Sequence, residues 1–193
     1  MRQKVKVKNK SLPGFTLIEL LVVISVISFL ASILLVYVND ARVSSRNITR
    51  IDNVNQLAKA FNLGNGIGSG LNNNGLPDTT AATLTDGTNS GGLVCVSDAC
   101  TGGLSSYQGY APVRSFLSPY LSRYPTDSTG GTRGASGFLF LSNFTGGTGP
   151  AGNYIPPGGK IQFYLETESK INCGPAILWK AIPGITVCIL SLN

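Results

Sequence analysis

The longest hydrophobic segment of the chain runs from Phe15 to Val38 and contains one acidic residue, Glu19. A helix rises about 1.5 Å per residue, so these residues extend for about 36 Å, more than the roughly 30 Å of a bilayer's hydrocarbon core. The pattern therefore predicts a membrane-spanning helix over residues 15–38. The carboxylate of Glu19 is the feature that an ordinary membrane anchor does not explain.

Hydrophobic residues then recur at three- and four-residue spacing, which predicts an amphipathic continuation of the helix over residues 39–63. The predicted buried stripe consists of Ile48, Ile51, Val54, Leu57, Ala58 and Phe61. Polar residues on the remaining surface, predicted to face solvent, are Asn47, Arg50, Asp52, Asn53 and Lys59. The glycines that begin at Gly64 are helix breakers, so the helix is predicted to end there.

The pattern in the rest of the chain predicts loops followed by strands. Residues 64–136 are rich in Gly, Ser and Thr and predict a connecting region with one short strand at Leu93–Val96. Residues 137–193 hold the predicted sheet, with strands at 137–142, 160–166, 176–180 and 185–190. A helix followed by antiparallel strands predicts an α+β fold, in which the long N-terminal helix packs on a small antiparallel β-sheet.

The net charge of +6 indicates how the chain is oriented in the membrane more than which ligand it binds. Residues 1–14 contain five of the fifteen basic residues, and without them ten basic residues face nine acidic ones. Basic residues before a first membrane segment stay on the cytoplasmic side. The sequence therefore predicts a cytoplasmic leader over residues 1–14 and one domain outside the membrane.

Three arginines, Arg42, Arg46 and Arg50, stand four residues apart on the amphipathic half of the helix. Such a row suits the phosphates of DNA or anionic lipid headgroups. A solvated helix face is the commoner explanation, and it is the one we expect here. DNA as a partner has no other support in the sequence.

The four cysteines predict two disulfides, because the domain that contains them is routed out of the cytoplasm. The sequence allows three connectivities, and proximity favours Cys95–Cys100 and Cys173–Cys188. A metal site is the alternative. The chain has no histidine, and CVSDAC lacks the two-residue spacing of zinc knuckles, so no metal or cofactor is expected.

No catalytic residue is predicted. Without histidine, the commonest general base and the Ser-His and Cys-His pairs are missing, and no spacing suggests Ser-Lys or paired-acid chemistry. Asp127, Glu166 and Glu168 do not make a calcium cage by spacing, and such carboxylates are usually just solvated. We expect a structural protein rather than an enzyme.

The stretch GFTLIELLVVISVI, which begins at Gly14, resembles the class III signal of type IV pilins and of the pseudopilins of type II secretion systems. The resemblance implies that a prepilin peptidase cuts after Gly14 and that the new N-terminal residue, Phe15, is N-methylated. It also implies an assembly role for Glu19, whose carboxylate would pair with the N-terminal ammonium of a neighbouring subunit. A buried carboxylate is costly alone and tolerable when it is paired.

The resemblance implies a pilin-like subunit that polymerises through its N-terminal helix. The expected product is a type IV pilus for adhesion, motility or DNA uptake; the alternative is a type II secretion pseudopilus. Expected partners are further copies of this chain, related minor pilins, the prepilin peptidase and the membrane assembly machinery. The precursor would sit in the bacterial cytoplasmic membrane before it enters an extracellular or periplasmic filament. A monomeric membrane-anchored binding domain is the rival outside this family.

Overall fold

The structure is a computed structural model that describes residues 14–65, 75–80, 82, 92–97, 99–102, 105–127, 135–166 and 172–192, with the side chains of Val36, Ala99 and Ser105 excepted. The chain divides into two compact units, with the boundary between Ala41 and Arg42. Helix α1 (Leu17–Gly64) contributes to both units. The prediction that this helix ends near Gly64 is confirmed.

The described residues after α1 form strands and one further helix. Strands β1 (Leu93–Cys95), β2 (Ala99–Gly102) and β3 (Ser105–Gln108) precede helix α2 (Ala111–Leu117). After α2 come β4 (Phe138–Phe144), β5 (Gly147–Thr148), β6 (Tyr154–Ile155), β7 (Gly158–Glu166), β8 (Ile177–Ile182) and β9 (Ile185–Ser191).

Five strands form an antiparallel sheet in the order β1-β4-β7-β9-β8. Strands β4, β7, β8 and β9 lie where the hydrophobic pattern predicted strands. The second half of α1 packs on this sheet, so the predicted α+β arrangement of one long helix and an antiparallel sheet is confirmed. Glu168, which follows β7 in the sequence, lies outside the described residues.

The core lies between α1 and one face of the sheet. Val54, Leu57 and Phe61 of α1 belong to the same buried cluster as the sheet's phenylalanines. The rings of Phe61 and Phe140 stack with their centroids 4.4 Å apart. Burial of aromatic side chains on this scale is the main favourable term holding helix and sheet together.

The buried face of α1 is rotated from the predicted one. Ile48 was placed in the buried stripe, yet it is 65 % exposed, whereas Arg50 was placed toward solvent and is 4 % exposed. Asn47, also predicted to face solvent, is buried. These predictions are wrong because the partners of the polar side chains lie far along the chain.

A polar network joins this part of α1 to the sheet. Both guanidinium edges of Arg50 are used: Nε and Nη2 donate to the two carboxylate oxygens of Asp127, at 2.9 and 3.1 Å, and Nη1 donates to Glu166 at 3.1 Å. Arg46 donates to both oxygens of Glu166. The Asn47 side chain pairs with the backbone N–H and C=O of Glu166. Buried charges require such partners, and here each has them.

The connecting region of 64–136 is more structured than its composition predicted. It contains the β2–β3 hairpin and α2, in addition to the predicted short strand at β1. Val113 and Leu117 of α2 are fully buried in the main core. A second cluster combines Cys100 and Tyr107, one from each strand of the hairpin, with Leu139 and Tyr164 of the sheet. The pairing of β4 with β7 shows that this second cluster lies on the sheet face opposite α1.

In the structure, Cys95 is bonded to Cys100 and Cys173 to Cys188. The first bridge joins β1 to β2, and the second fixes the segment before β8 to β9. Gly137 packs directly on Cys100, in a backbone conformation with φ +88° that only glycine adopts without strain. The first bridge is therefore built into the edge of the second cluster.

We expect the substitution Asp127→Asn to lower the free energy of unfolding by about 3 kcal/mol, since it leaves the buried guanidinium of Arg50 with one carboxylate instead of two. Urea unfolding of the chain in non-ionic detergent, followed by the fluorescence of Trp179, measures this. The matched control is Asp52→Asn, an exposed acid on the same helix, which should change the value by less than about 0.5 kcal/mol. Equal losses in the two variants would contradict a stabilising role for the network.

Non-reducing peptide mapping of the protein recovered from an oxidising compartment should yield the two pairs described above. Removal of the 173–188 bridge should cost about 3 kcal/mol and removal of the 95–100 bridge about 2 kcal/mol, because the longer loop loses more unfolded-state entropy. Paired Cys→Ser variants, compared by thermal unfolding, test the order. Cross-paired peptides, or a larger loss for the shorter ring, would contradict it.

Candidate functional site

The start of α1 is organised by a reciprocal pair of side chains, Thr16 and Glu19. The backbone N–H of Thr16 donates to Glu19 Oε2 at 2.9 Å, and the Thr16 hydroxyl donates to the same oxygen at 2.7 Å. The backbone N–H of Glu19 lies 3.3 Å from the Thr16 hydroxyl oxygen. Thr16 precedes the first helical residue, Leu17, so it stands at the N-cap position.

This arrangement is a capping box, in which residues N-cap and N3 satisfy each other's backbone N–H groups. It gives the Glu19 carboxylate a role within its own subunit. Only one of the two oxygens is used, and Oε1 has no partner among the described residues. The sequence did contain the signal, since Thr16 and Glu19 have the Ser/Thr-x-x-Glu spacing, but the acid was interpreted only as an assembly residue.

The junction between Gly14 and Phe15 is open. Both residues precede the helix and are exposed, and the Phe15 side chain is 81 % exposed. A Cβ atom added at Gly14 would meet no atom within 4 Å. A side chain introduced at Gly14 therefore disturbs no contact of the described chain, and any effect on processing would arise in an enzyme's own site. Pro13 lies outside the described residues.

The apolar half of α1 has no covering partner within the described residues. Its large hydrophobic side chains are 43 to 88 % exposed, from Leu17 to Val38. By length and composition this helix could cross a membrane. An apolar surface of this extent is not stable in water and requires lipid or other apolar helices around it.

Of the three arginines in the row on α1, two belong to the polar network with the sheet and one faces solvent. Arg42 is exposed, whereas Arg46 and Arg50 bind Glu166 and Asp127. The Arg46 hydrogen bonds hold the pKa of Glu166 below its usual value, against the opposing effect of burial, and the same contacts raise the pKa of Arg46. The prediction of a solvated row is wrong for Arg50, and the network leaves little of the row for phosphate binding. Asp127 and Glu166 were likewise expected to be solvated, and the structure brings them together.

A second polar cluster, absent from the sequence predictions, lies on the sheet face opposite α1. Lys160 is 3 % exposed, and its Nζ donates to the Ser191 hydroxyl at 3.0 Å and to the carbonyl of Pro157 at 3.3 Å. Burial lowers the pKa of Lys160. Nearby, Gln162 donates to the Tyr164 hydroxyl at 2.7 Å, and burial raises the pKa of Tyr164 to about 12. Sequence spacing could not reveal the Lys160–Ser191 pair, because 31 residues separate the two.

The described residues contain no cluster of three or more acids or cysteines that could hold a metal ion. Serine beside lysine is a pairing that some hydrolases use, with the amine as general base. Ser191 has its backbone in a central ladder of the sheet, opposite Lys160. A hydrogen bond between register partners is also what a structural pair makes, and no described feature assigns catalysis to it.

Residues 13–35 match the family model described as the prokaryotic N-terminal methylation motif. This motif is the class III signal peptide of type IV pilins and pseudopilins, so the resemblance given by GFTLIELLVVISVI is confirmed. The match covers Gly14, Phe15, Thr16 and Glu19 and ends within the apolar half of α1. Comparison with curated proteins and with solved structures yields no match for the chain.

Proposed function

We propose that this chain is the precursor of a type IV pilus subunit, cleaved after Gly14 and polymerised through α1 into a surface filament. The observation that carries the proposal is the coincidence of the matched motif at 13–35 with an apolar helix that has no covering partner among the described residues. A signal that was simply removed after secretion would leave no use for that helix in the mature protein. Cleavage before the helix keeps it as the assembly surface.

The precursor is held in the cytoplasmic membrane by the apolar half of α1, with its basic leader in the cytoplasm and residues 42–193 outside. Cleavage leaves Phe15 as the N-terminal residue and creates an ammonium group close to the start of the helix. N-methylation retains the positive charge of that group. The signal therefore converts a neutral peptide bond into a cation at the position where subunits are to meet.

Glu19 supplies the matching anion. Its Oε2 atom is occupied by Thr16 of the same subunit, and Oε1 is open to a neighbour's ammonium. A carboxylate accepts several hydrogen bonds, so the cap and the intersubunit pair are compatible. The cap fixes the rotamer of Glu19 before assembly, which lowers the entropy lost when the pair forms.

The remaining partners follow from this cycle: the prepilin peptidase, further copies of the chain, minor pilins and the assembly machinery in the membrane.

A surface pilus is favoured by the Gly/Ser/Thr-rich region between residues 64 and 136 and by the C-terminal disulfide, which are features of pilins that display loops outward. The second candidate is a pseudopilin of a type II secretion system, since the matched motif serves both. Filaments sheared from the cell surface would favour the pilus.

The mature chain should begin at Phe15 and carry an N-methyl group. Intact-mass analysis of the protein from cells that possess the peptidase tests this, with cells lacking the enzyme as the control. Gly14→Val should leave the leader attached, and because a Cβ atom added at Gly14 meets no atom within 4 Å, the domain's disulfide map should stay unchanged. A leader retained in the wild-type protein, or a cut beyond Ala31, would contradict the proposal.

Two substitutions at Glu19 test whether its charge is needed for assembly. Glu19→Gln keeps an oxygen that accepts from Thr16 but removes the charge, whereas Glu19→Ala removes both. Both variants should insert and be cleaved, and both should lose filaments, because a desolvated ammonium without its counter-charge costs about 3–5 kcal/mol.

The comparison is filament yield by electron microscopy at equal amounts of cleaved, methylated subunit. Thr16→Ala is the matched control, since it weakens the cap by about 1 kcal/mol and leaves the carboxylate in place. It should retain most of the filaments. Wild-type yield from Glu19→Gln would show that the charge is not used, and a loss in Thr16→Ala as severe as in Glu19→Gln would contradict the claim that the charge, rather than the cap, drives assembly.

A further inference from the structure

The sheet face opposite α1 contains a concavity of about 260 Å³. Its apolar lining consists of the aliphatic side chains of Leu93, Leu141 and Ile189 and the aromatic rings of Phe144 and Trp179. Its polar lining consists of Lys160 and Gln162. Ligand sites in proteins usually have this composition, a mainly apolar enclosure with a few placed polar groups.

The position of Trp179 depends on an irregularity in β8. The register with β9 shifts between Leu178 and Lys180, so Trp179 is the extra residue of a bulge. Its indole packs against Gly149, where any larger side chain would collide with the ring, and it meets the Phe144 ring edge-on at 6.3 Å. Bulges commonly redirect a side chain next to a functional site. Here the bulged residue, Trp179, contributes an aromatic ring to the lining of the concavity.

Lys160 supplies a positive charge that no carboxylate of the described residues balances, since none lies within 4.0 Å of it. A lysine on the outer face of a sheet usually extends its ammonium to solvent, but Lys160 is 3 % exposed. Its two acceptors, the Pro157 carbonyl and the Ser191 hydroxyl, are neutral. An ammonium has three donors, so one N–H remains for a further acceptor. Burial of this kind is costly until an anion is supplied.

We propose that this concavity binds a small organic carboxylate with an apolar ring, whose carboxylate accepts from Lys160 Nζ and whose ring packs against Trp179 and the aliphatic lining residues. The volume is below the range of drug-sized sites, about 300–1,000 Å³, which limits the ligand to a single ring with its acid group. A carboxylate fits better than a phosphate, because one ammonium N–H is available and the described lining holds no second cation. The site is independent of the filament proposal, since it involves only the domain after residue 92.

The test uses the full-length chain in non-ionic detergent, with phenylacetate as the probe and phenylacetamide as its uncharged match. Trp179 is the only tryptophan in the chain, so its fluorescence reports directly on the site. We expect saturable binding of phenylacetate at least ten-fold tighter than that of phenylacetamide. Equal affinities for the acid and the amide would overturn the proposal, whatever the behaviour of any variant.

Two lysine variants complete the experiment. Lys160→Met preserves the apolar stem and removes the charge, and it should reduce the acid-to-amide ratio to about one. Lys180→Met, at an exposed lysine on β8, is the matched control and should keep the wild-type ratio. An acid preference that survives Lys160→Met would overturn the assignment to this lysine. Should that variant fail to fold, titration of the wild-type protein decides: acid binding must weaken as rising pH deprotonates the ammonium, while amide binding stays constant.

Discussion

The position of α1 against its sheet depends on the buried guanidinium of Arg50. The hydrophobic stripe of Val54, Leu57 and Phe61 attracts the helix to the sheet without specifying direction closely, since dispersion and burial are not directional. Arg50 fixes the orientation of the helix, because its planar guanidinium must bind Asp127 and Glu166 at the same time. Asn47 adds a second fixed point by pairing with the backbone of Glu166. The packed helix therefore has a unique register.

The elements that local pattern controls were predictable from the sequence. The apolar segment, the helix end at Gly64 and the alternating strand predicted at 160–166 follow from periodicity and helix breakers, although the observed strand begins at Gly158. The rotation of the buried helix face could not be found, because Arg50 contacts residues 77 and 116 positions away. Local polarity assigned those residues to solvent. The β2–β3 hairpin and α2 were missed for a related reason, since a composition rich in small residues conceals the few, such as Val113 and Leu117, that reach the core.

The candidate sites also differ in whether the sequence alone could reveal them. Gly14, Phe15 and Glu19 belong to one contiguous motif and were read directly from the sequence, and even the cap by Thr16 was present as a four-residue pattern. Lys160, Ser191 and Trp179 come together only when β7, β8 and β9 pair and a bulge turns the indole. The proposed processing site is therefore visible in a contiguous stretch of sequence, whereas the outer-face concavity forms only when the chain folds.

The bridge between Cys173 and Cys188 also limits how far the domain lengthens under mechanical tension. A chain that is pulled from its ends yields about 3.3–3.6 Å for each residue released, so a 15-residue segment contributes roughly 50 Å of contour. With the bridge intact, that segment is bypassed by a covalent link between the two cysteines, and separation of β8 from β9 adds none of this length. A domain built in this way resists extension at its C-terminal hairpin through a covalent bond rather than through hydrogen bonds alone.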